Sequence, residues 1–321
     1  MPEGHSIHRV AGALTSIFAR EQVQARSPQG RFIAGAQILD GQQAGVAQAW
    51  GKHLFLPFRP TSQPGGEGDT DLAKLQAGAD TGYPNWLHVH LGLYGSWRFD
   101  TDQSHPLPHA IGAPRVRIGE GDERVEDAGS TETWLLPQPR GQVRLRLHTE
   151  HAVADLSGPN RCEILDPVQV ADTLDKLGPD PIRDHSGDED RFVTLMRRRS
   201  IPIGQAVMDQ SICAGPGNIY RAECLFRTRI NPNRAAKQVS ENRLRTLWRD
   251  LVVALREGVR DGKIITVPTE LVPAHIAPED KEARRFAVYH RTGRSCLRCG
   301  ATVREKNLAG RKLFWCPGCQ N

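Results

Sequence analysis

Two groups of residues have types and spacings that can do chemistry, and they stand near opposite ends of the chain. Cys296 with Cys299, and Cys316 with Cys319, are two C-x2-C pairs separated by sixteen residues. Each pair can clasp one edge of a tetrahedral ion while the segment between them folds as a hairpin, which is zinc-ribbon spacing. Four protein ligands close such a site and leave no position for a catalytic water, so one structural zinc is expected. Seven cysteines in all, an odd number with four crowded into the tail, suit metal binding better than disulfide pairing. The hairpin carries Arg304, Lys306, Arg311 and Lys312, charges that suit phosphates or a solvated surface equally well.

At the other end Pro2 follows the initiator methionine and precedes Glu3. Small residues at this position are common, and the proline alone means little. Its surroundings add weight: Ile7, Val10, Ala11, Leu14, Ile17 and Phe18 recur at helical spacing and predict one amphipathic helix from Pro2 to about Phe18. Once exposed, the Pro2 amine would be a secondary amine at the positive end of that helix, where an ammonium is disfavoured. An unprotonated amine can attack an electrophilic sugar carbon and form a Schiff base that makes the neighbouring proton labile. That chemistry needs an acid-base partner, and Glu3 is adjacent; without Pro2 it would read more readily as a first-turn carboxylate stabilised by the helix dipole.

These groups need elements to position them. With 321 residues, 38% hydrophobic and 25% charged, the chain is of ordinary globular composition and suits more than one compact domain. The formal net charge of +5 is compatible with a polyanionic partner. No run approaches the roughly 18 apolar residues of a membrane span, and the first ten residues lack a signal-peptide core, so a cytoplasmic protein with no membrane partner is expected. Leu87, Val89, Leu91 and Leu93 alternate with His88, His90 and Tyr94, and Val143, Leu145 and Leu147 with Arg144, Arg146 and His148, as half-buried strands do. Polar, glycine-rich stretches from Thr61 to Gly82 and from Gly119 to Gly141 read as surface loops. Short strands between loops favour a β-sandwich with the first helix packed on it, ending near Ser157 to Pro167. Arg191 to Arg199, Ile203 to Gln210, Ile219 to Phe226 and Arg243 to Val259 then read as helices. The short apolar runs around the cysteines need a metal to hold a core.

Several motifs stand in a fixed order: Pro2-Glu3-Gly4, Gly51-Lys52 in an early strand, His90-Leu-Gly-Leu-Tyr-Gly95, Leu177-Gly-Pro-Asp180, and Met208-Asp-Gln-Ser-Ile-Cys-Ala-Gly-Pro-Gly-Asn-Ile-Tyr220. Tyr289-His-Arg-Thr-Gly293, Gly310-Arg311 and Cys316-Pro-Gly-Cys-Gln320 complete the series. Over nearly its whole length the chain resembles the formamidopyrimidine-DNA glycosylase and endonuclease VIII family, closer to the endonuclease VIII branch. The resemblance implies an α+β multidomain protein: an N-terminal β-sandwich with a packed N-terminal helix over 1–158, a helix-two-turns-helix domain over 165–285, and a four-cysteine zinc finger over 286–321. DNA would lie in the cleft between the domains.

Roles follow position by position from the resemblance. Pro2 matches the Schiff-base nucleophile, Glu3 the proton shuttle, and Lys52 a strand lysine that contacts phosphate and assists β-elimination. Asn218 matches a phosphate-holding asparagine, and Arg311 the finger arginine that grips the phosphates flanking the lesion. His90 and Lys176 sit where the family contacts phosphate. Leu93 and Tyr94 match the wedge that fills the gap left by an extruded base. Outside the family register Leu93 would be a core residue, Lys52 an exposed strand lysine and Asn218 a turn former.

The expected function is base excision repair of damaged DNA by a monomeric, nucleoid-associated glycosylase and abasic-site lyase that ends in β,δ-elimination. Oxidised pyrimidines are favoured by the Leu-Tyr wedge, whereas Ile264, Ile265 and Thr266 fall where the 8-oxoguanine branch caps the flipped base. Gly92 departs from the glutamine of the endonuclease VIII branch. The alternative reading is a non-catalytic sensor of abasic or distorted DNA, for which a proline and a glutamate together are not required.

Overall fold

The computed structural model describes residues 2–62, 70–102, 110–112 and 134–321. Residues 63–69 and 119–133 of the two expected loops lie outside the described residues. The chain divides into two compact units, one holding Pro2 and Ser6–Lys176, the other Glu3–His5 and Leu177–Asn321.

In the first unit, helix α1 (Gly4–Phe18) begins two residues after the expected start and buries Ile7, Val10, Leu14, Ile17 and Phe18. There follow β1 (Gln22–Arg26), α2 (Ile33–Leu39), β2 (Gln42–Ala44), β3 (Gln48–Trp50), β4 (His53–Arg59), α3 (Leu72–Gln76) and β5 (Asn85–His90). Then come β6 (Ser96–Thr101), β7 (Ala110–Gly112), β8 (Val143–His148), β9 (Ala152–Ser157), β10 (Arg161–Leu165) and α4 (Pro167–Asp175). Among the described residues one ten-stranded sheet runs β10-β5-β4-β2-β1-β8-β9-β6-β7, with β3 paired to β4. Its two halves meet at β1 and share a core in which Leu54, Leu56, Leu87 and Val89 join Leu145, Leu147, Leu156 and Trp97. That shared core is the expected sandwich.

Three details differ from expectation. The stretch from Thr61 to Gly82 holds the short helix α3, whose Asp71 caps the Ala73 amide at 2.9 Å and whose Leu72 and Leu75 are buried. Glycines around it hid a five-residue helix. Strand β5 stops at His90, so Leu93 belongs to a turn and not to the strand. The first unit also continues past 158 to Lys176, because β10 pairs with Trp86 to His90 of β5 and α4 follows it directly.

The second unit is helical: α5 (Asp188–Arg197), α6 (Ile203–Ala206), α7 (Asn218–Arg227) and α8 (Glu241–Asp261). Phe192, Met196, Tyr220, Leu244, Leu247, Trp248 and Leu251 form its core. Helix α6 ends four residues short of Gln210, and the chain turns twice before α7. Gln210 braces that passage, accepting from the Gly215 amide at 2.9 Å and donating to Met208 and Pro216 carbonyls. A hairpin of β11 (Arg304–Leu308) and β12 (Arg311–Trp315) closes the unit, its Val303, Phe314, Cys296 and Cys316 packed with Ala222 and Phe226 of α7. Among the described residues no helix is long and apolar enough to cross a membrane.

Candidate active site and metal centre

Glu3 is fully buried, and it sits before α1, outside that helix's first turn. Its two carboxylate oxygens accept from the amides of Gly217 and Ile219, each at 2.9 Å, at the start of α7. The first amides of a helix have no partner within it, so this carboxylate caps α7 from a distant part of the chain and meets its positive end. Two glycines permit the approach. A Cβ on Gly4 would lie 2.8 Å from the Gly215 backbone, to which the Gly4 amide donates at 2.9 Å. One on Gly217 would lie 2.6 Å from the Glu3 carboxyl carbon. Pro2, directly before Glu3, is buried.

Asn218 opens α7. Its amide donates to the Lys312 carbonyl at 3.0 Å, and its oxygen accepts from the Arg221 guanidinium. Arg221 donates to the same carbonyl at 2.8 Å. The guanidinium is held down to about 10 by burial and then by the charge of Arg311, which places Arg311 within electrostatic reach. Asn218 and Lys312, the residue after the finger arginine, are thus joined at the start of α7 although far apart in sequence. Ala309 and Gly310 both take left-handed φ, 51° and 74°, as the tight turn leading into Arg311 requires.

The four cysteine sulfurs lie within 4.8 Å of one another. Cys296 and Cys319 sulfurs are 3.8 Å apart and those of Cys299 and Cys316 3.5 Å. A tetrahedron with zinc–sulfur bonds of about 2.3 Å has sulfurs about 3.8 Å apart, so the set fits zinc. The Arg298 and Cys319 amides point at the Cys296 and Cys316 sulfurs at 3.4 Å, orienting them as second-layer donors do in such sites. Gln320 accepts from the Cys316 amide at 2.9 Å and donates to the Ile230 carbonyl at 3.0 Å.

In the first unit, Lys52 lies at the tip of the two-residue turn joining β3 and β4, not within a strand. Gly51 supplies the φ of 58° that such a turn needs at its first position. His90 ends β5 opposite His53 of β4 and Arg161 of β10. Burial first, then the Lys52 charge, holds its imidazole down to about 4, so it is neutral near pH 7. Leu93 and Tyr94 are 47% and 75% exposed, side by side on the turn after β5. Gly92 bends the turn with φ 66°, and a Cβ there would meet Asn160 at 2.8 Å, so glycine stands in place of the branch's glutamine for a steric reason. Lys176 is exposed at the C-terminal cap of α4.

Sequence reasoning missed Arg221 and Glu223, both buried on α7, and the set His53, His88 and Glu163. The signal for the first two was available: charged residues inside a helix otherwise carrying Ile219, Tyr220, Ala222, Cys224, Leu225 and Phe226 must find internal partners. Glu223 accepts from the amides of Ala287, Val288 and Tyr289, each at 2.8 Å, and from the Thr266 hydroxyl at 3.0 Å.

A proline-glutamate pair ahead of a sheet domain, a helix-two-turns-helix and a four-sulfur ribbon define a class of DNA-repair glycosylase. The formamidopyrimidine-DNA glycosylase H2TH domain matches residues 177–269, and the zinc finger found in FPG and IleRS matches 295–321. Endonuclease 8 1 of Mycobacterium tuberculosis is 37% identical over 323 residues, covering 100% of both chains. The formamidopyrimidine-DNA glycosylase of Prochlorococcus marinus is 33% identical over 243 residues, 73% of this chain and 70% of that one. The Lactococcus lactis Fpg, solved in complex with an abasic-site DNA, shares the fold with a TM-score of 0.68 at 20% identity, covering 100% of both chains. The chain belongs to the formamidopyrimidine-DNA glycosylase and endonuclease VIII family of DNA glycosylases with abasic-site lyase activity, and its cysteine cluster is the family's zinc-finger site.

Proposed function

We propose that this protein excises oxidised bases, pyrimidines above all, through a Schiff base on Pro2 and then cuts the abasic strand by β,δ-elimination. The seating of Glu3 on the α7 amides is the observation that carries this reading. A carboxylate oxygen has two lone pairs, so each Glu3 oxygen that accepts one amide can still take and return a proton. The pair Pro2-Glu3 is thereby fixed by contacts that a mere surface terminus would not need.

With methionine removed, the Pro2 nitrogen attacks C1′ of the extruded nucleotide, and the base leaves with the bonding electrons and a proton. Sugar-ring opening gives the iminium ion. Loss of a C2′ proton expels the 3′ phosphate, loss of a C4′ proton then expels the 5′ phosphate, and water hydrolyses the iminium to free the sugar fragment and the Pro2 amine, leaving a one-nucleotide gap. Lys52, Asn218 and Arg311, with His90 and Lys176 at the margins, bind the strand's phosphates. Leu93 and Tyr94 enter the stack in place of the lost base. One zinc per chain shapes the finger and takes no part in the chemistry. The protein acts as a monomer on damaged DNA in the cytoplasm, associated with the nucleoid.

Borohydride trapping on abasic-site DNA tests the reading, using protein whose mature terminus is shown by mass spectrometry to be Pro2. A covalent adduct is expected that is lost in Pro2→Gly. Tight binding without any adduct would refute it and favour the non-catalytic sensor.

A further inference from the structure

Beside Lys52 lies a chain of polar side chains that no step above uses. The His53 Nδ1 and His88 Nε2 atoms are 2.9 Å apart, and His88 Nδ1 is 2.9 Å from a Glu163 oxygen. The His53 and His88 rings are parallel within 4° at 5.1 Å, and Phe55 stacks on His88 at 4.9 Å and 11°. His88 is fully buried, whereas the Glu163 side chain is 42% exposed. The order of donors follows from chemistry. A carboxylate only accepts, so His88 Nδ1 donates to Glu163. Burial lowers the pKa of His88 and, together with the neighbouring histidines, Arg161 and Lys52, holds His53 down to about 3, so both rings are neutral near pH 7. A neutral His88 protonated on Nδ1 has a bare Nε2, which can only accept, and His53 Nδ1 is therefore the donor. His53 in turn keeps a bare Nε2.

His53 is the first residue after the two-residue turn, and its ring lies 5.0 Å from that of His90. A histidine locked in rotamer and tautomer at the root of a turn fixes the direction in which the turn's tip projects. We propose that Glu163 and His88 act through His53 as positioning residues for Lys52, holding the Gly51-Lys52 turn in the pose from which the lysine meets a phosphate of the abasic strand. This rests on the reading of Lys52 given above. A direct electrostatic role for Glu163 makes the opposite forecast, because removing an acidic group next to Arg161, 3.6 Å away, favours binding of a polyanion.

The test is a double-mutant cycle on preformed abasic-site DNA with Glu163→Ala, Lys52→Ala and the pair. Glu163 is partly exposed, so its truncation leaves the sheet intact, and His88→Phe, which keeps the stacking on Phe55, is the second interruption of the chain. Each single variant is expected to slow strand cleavage by about ten- to a hundredfold. Glu163→Ala should add no further loss in the Lys52→Ala background. Long-range proton-nitrogen NMR of the histidine rings should show Nδ1-protonated His53 and His88 in the wild type and loss of that pattern at His88 in Glu163→Ala. Multiplicative losses, faster cleavage, or histidine tautomers unaltered by the substitution would overturn the proposal. Absence of a borohydride adduct in the wild type would instead sink the Pro2 reading, and the tautomer measurement, which needs no activity, still decides the chain.

Discussion

Replacing Gly217 by alanine asks for one methyl group where the Glu3 carboxylate already sits. The added carbon would lie 2.6, 2.7 and 2.9 Å from Cδ, Oε1 and Cγ of Glu3. Retreat is blocked on the other side, because Gly4 is hydrogen-bonded to Gly215 at 2.9 Å and has no room of its own. The carboxylate must leave its seat, and the Gly217 and Ile219 amides lose their acceptor. Two half-satisfied amides cost about 1–3 kcal/mol together where water reaches one of them, and overpacking about 1–3 kcal/mol. The stiffer unfolded chain returns only about 0.4–1 kcal/mol. The net expectation is a loss of about 2–4 kcal/mol in urea denaturation, with Schiff-base trapping reduced by about a hundredfold. Gly12 of α1 provides the control, since nothing lies within 4 Å of a Cβ there. Gly12→Ala should stabilise the protein by about 0.5–1 kcal/mol through helix propensity alone. A Gly217→Ala protein within about 0.5 kcal/mol of wild type would refute the carboxylate seat.

Chelation should remove about one zinc per chain by elemental analysis and abolish DNA binding. Fluorescence of Trp315, in the strand leading to Cys316, should change with it, and retained binding by the metal-free protein would contradict the finger's role. Arg311→Ala should lower the slope of log affinity against log salt by about one ion, and an unchanged slope would remove Arg311 from the phosphate contacts. Tyr94→Ala should leave thermal stability within about 0.5 kcal/mol because the ring is exposed, yet slow excision from duplex DNA more than from single strands, where no stack need be filled. His53 and His90 are held below the ordinary histidine value, to about 3 and about 4, so the unfolded state binds protons that the folded state refuses. Stability should therefore fall as pH drops from about 6.5 toward 4, by at most about 1.4 kcal/mol per pH unit for each ring, and His53→Phe should flatten the fall.

Much of this was legible in the sequence because the informative features are local. The C-x2-C pairs fix a tetrahedral geometry by spacing alone, and the spacing of Ile7, Val10, Leu14 and Phe18 defines the buried face of α1. Features that depend on partners across the sheet were not. His88 looked like the polar side of a half-buried strand, yet β5 lies between β4 and β10, and His88 is covered and bonded on both sides to His53 and Glu163. The turn at Leu91 to Gly95 was hidden by an alternation that continues past the strand's end, and only the φ of Gly92 reveals the bend. The sequence offered Glu3 as the acid-base partner of Pro2 or a carboxylate of its own helix, and no sequence pattern links residue 3 with the amides at 217 and 219 that seat it.

Helix α7 shows what the buried charges contribute. A buried ion is stabilising only when every donor or acceptor is used, and an apolar residue of the same size would serve stability as well. Glu223 meets that condition and Arg221 only in part, its Nε being buried without a partner among the described residues: the guanidinium gathers the Asn218 side chain and the Lys312 and Gly204 carbonyls, while the carboxylate gathers three successive amides from Ala287 to Tyr289 and the Thr266 hydroxyl. An apolar core fills space without choosing among backbone groups. Hydrogen bonds to one carbonyl of β12 and three amides of the preceding loop choose, and they tie the second ribbon strand to the start of α7. Arg311 is the residue next to that carbonyl. Arg221 thus ties the backbone beside Arg311 to the Asn218 side chain, which the turn of the hairpin alone would not do.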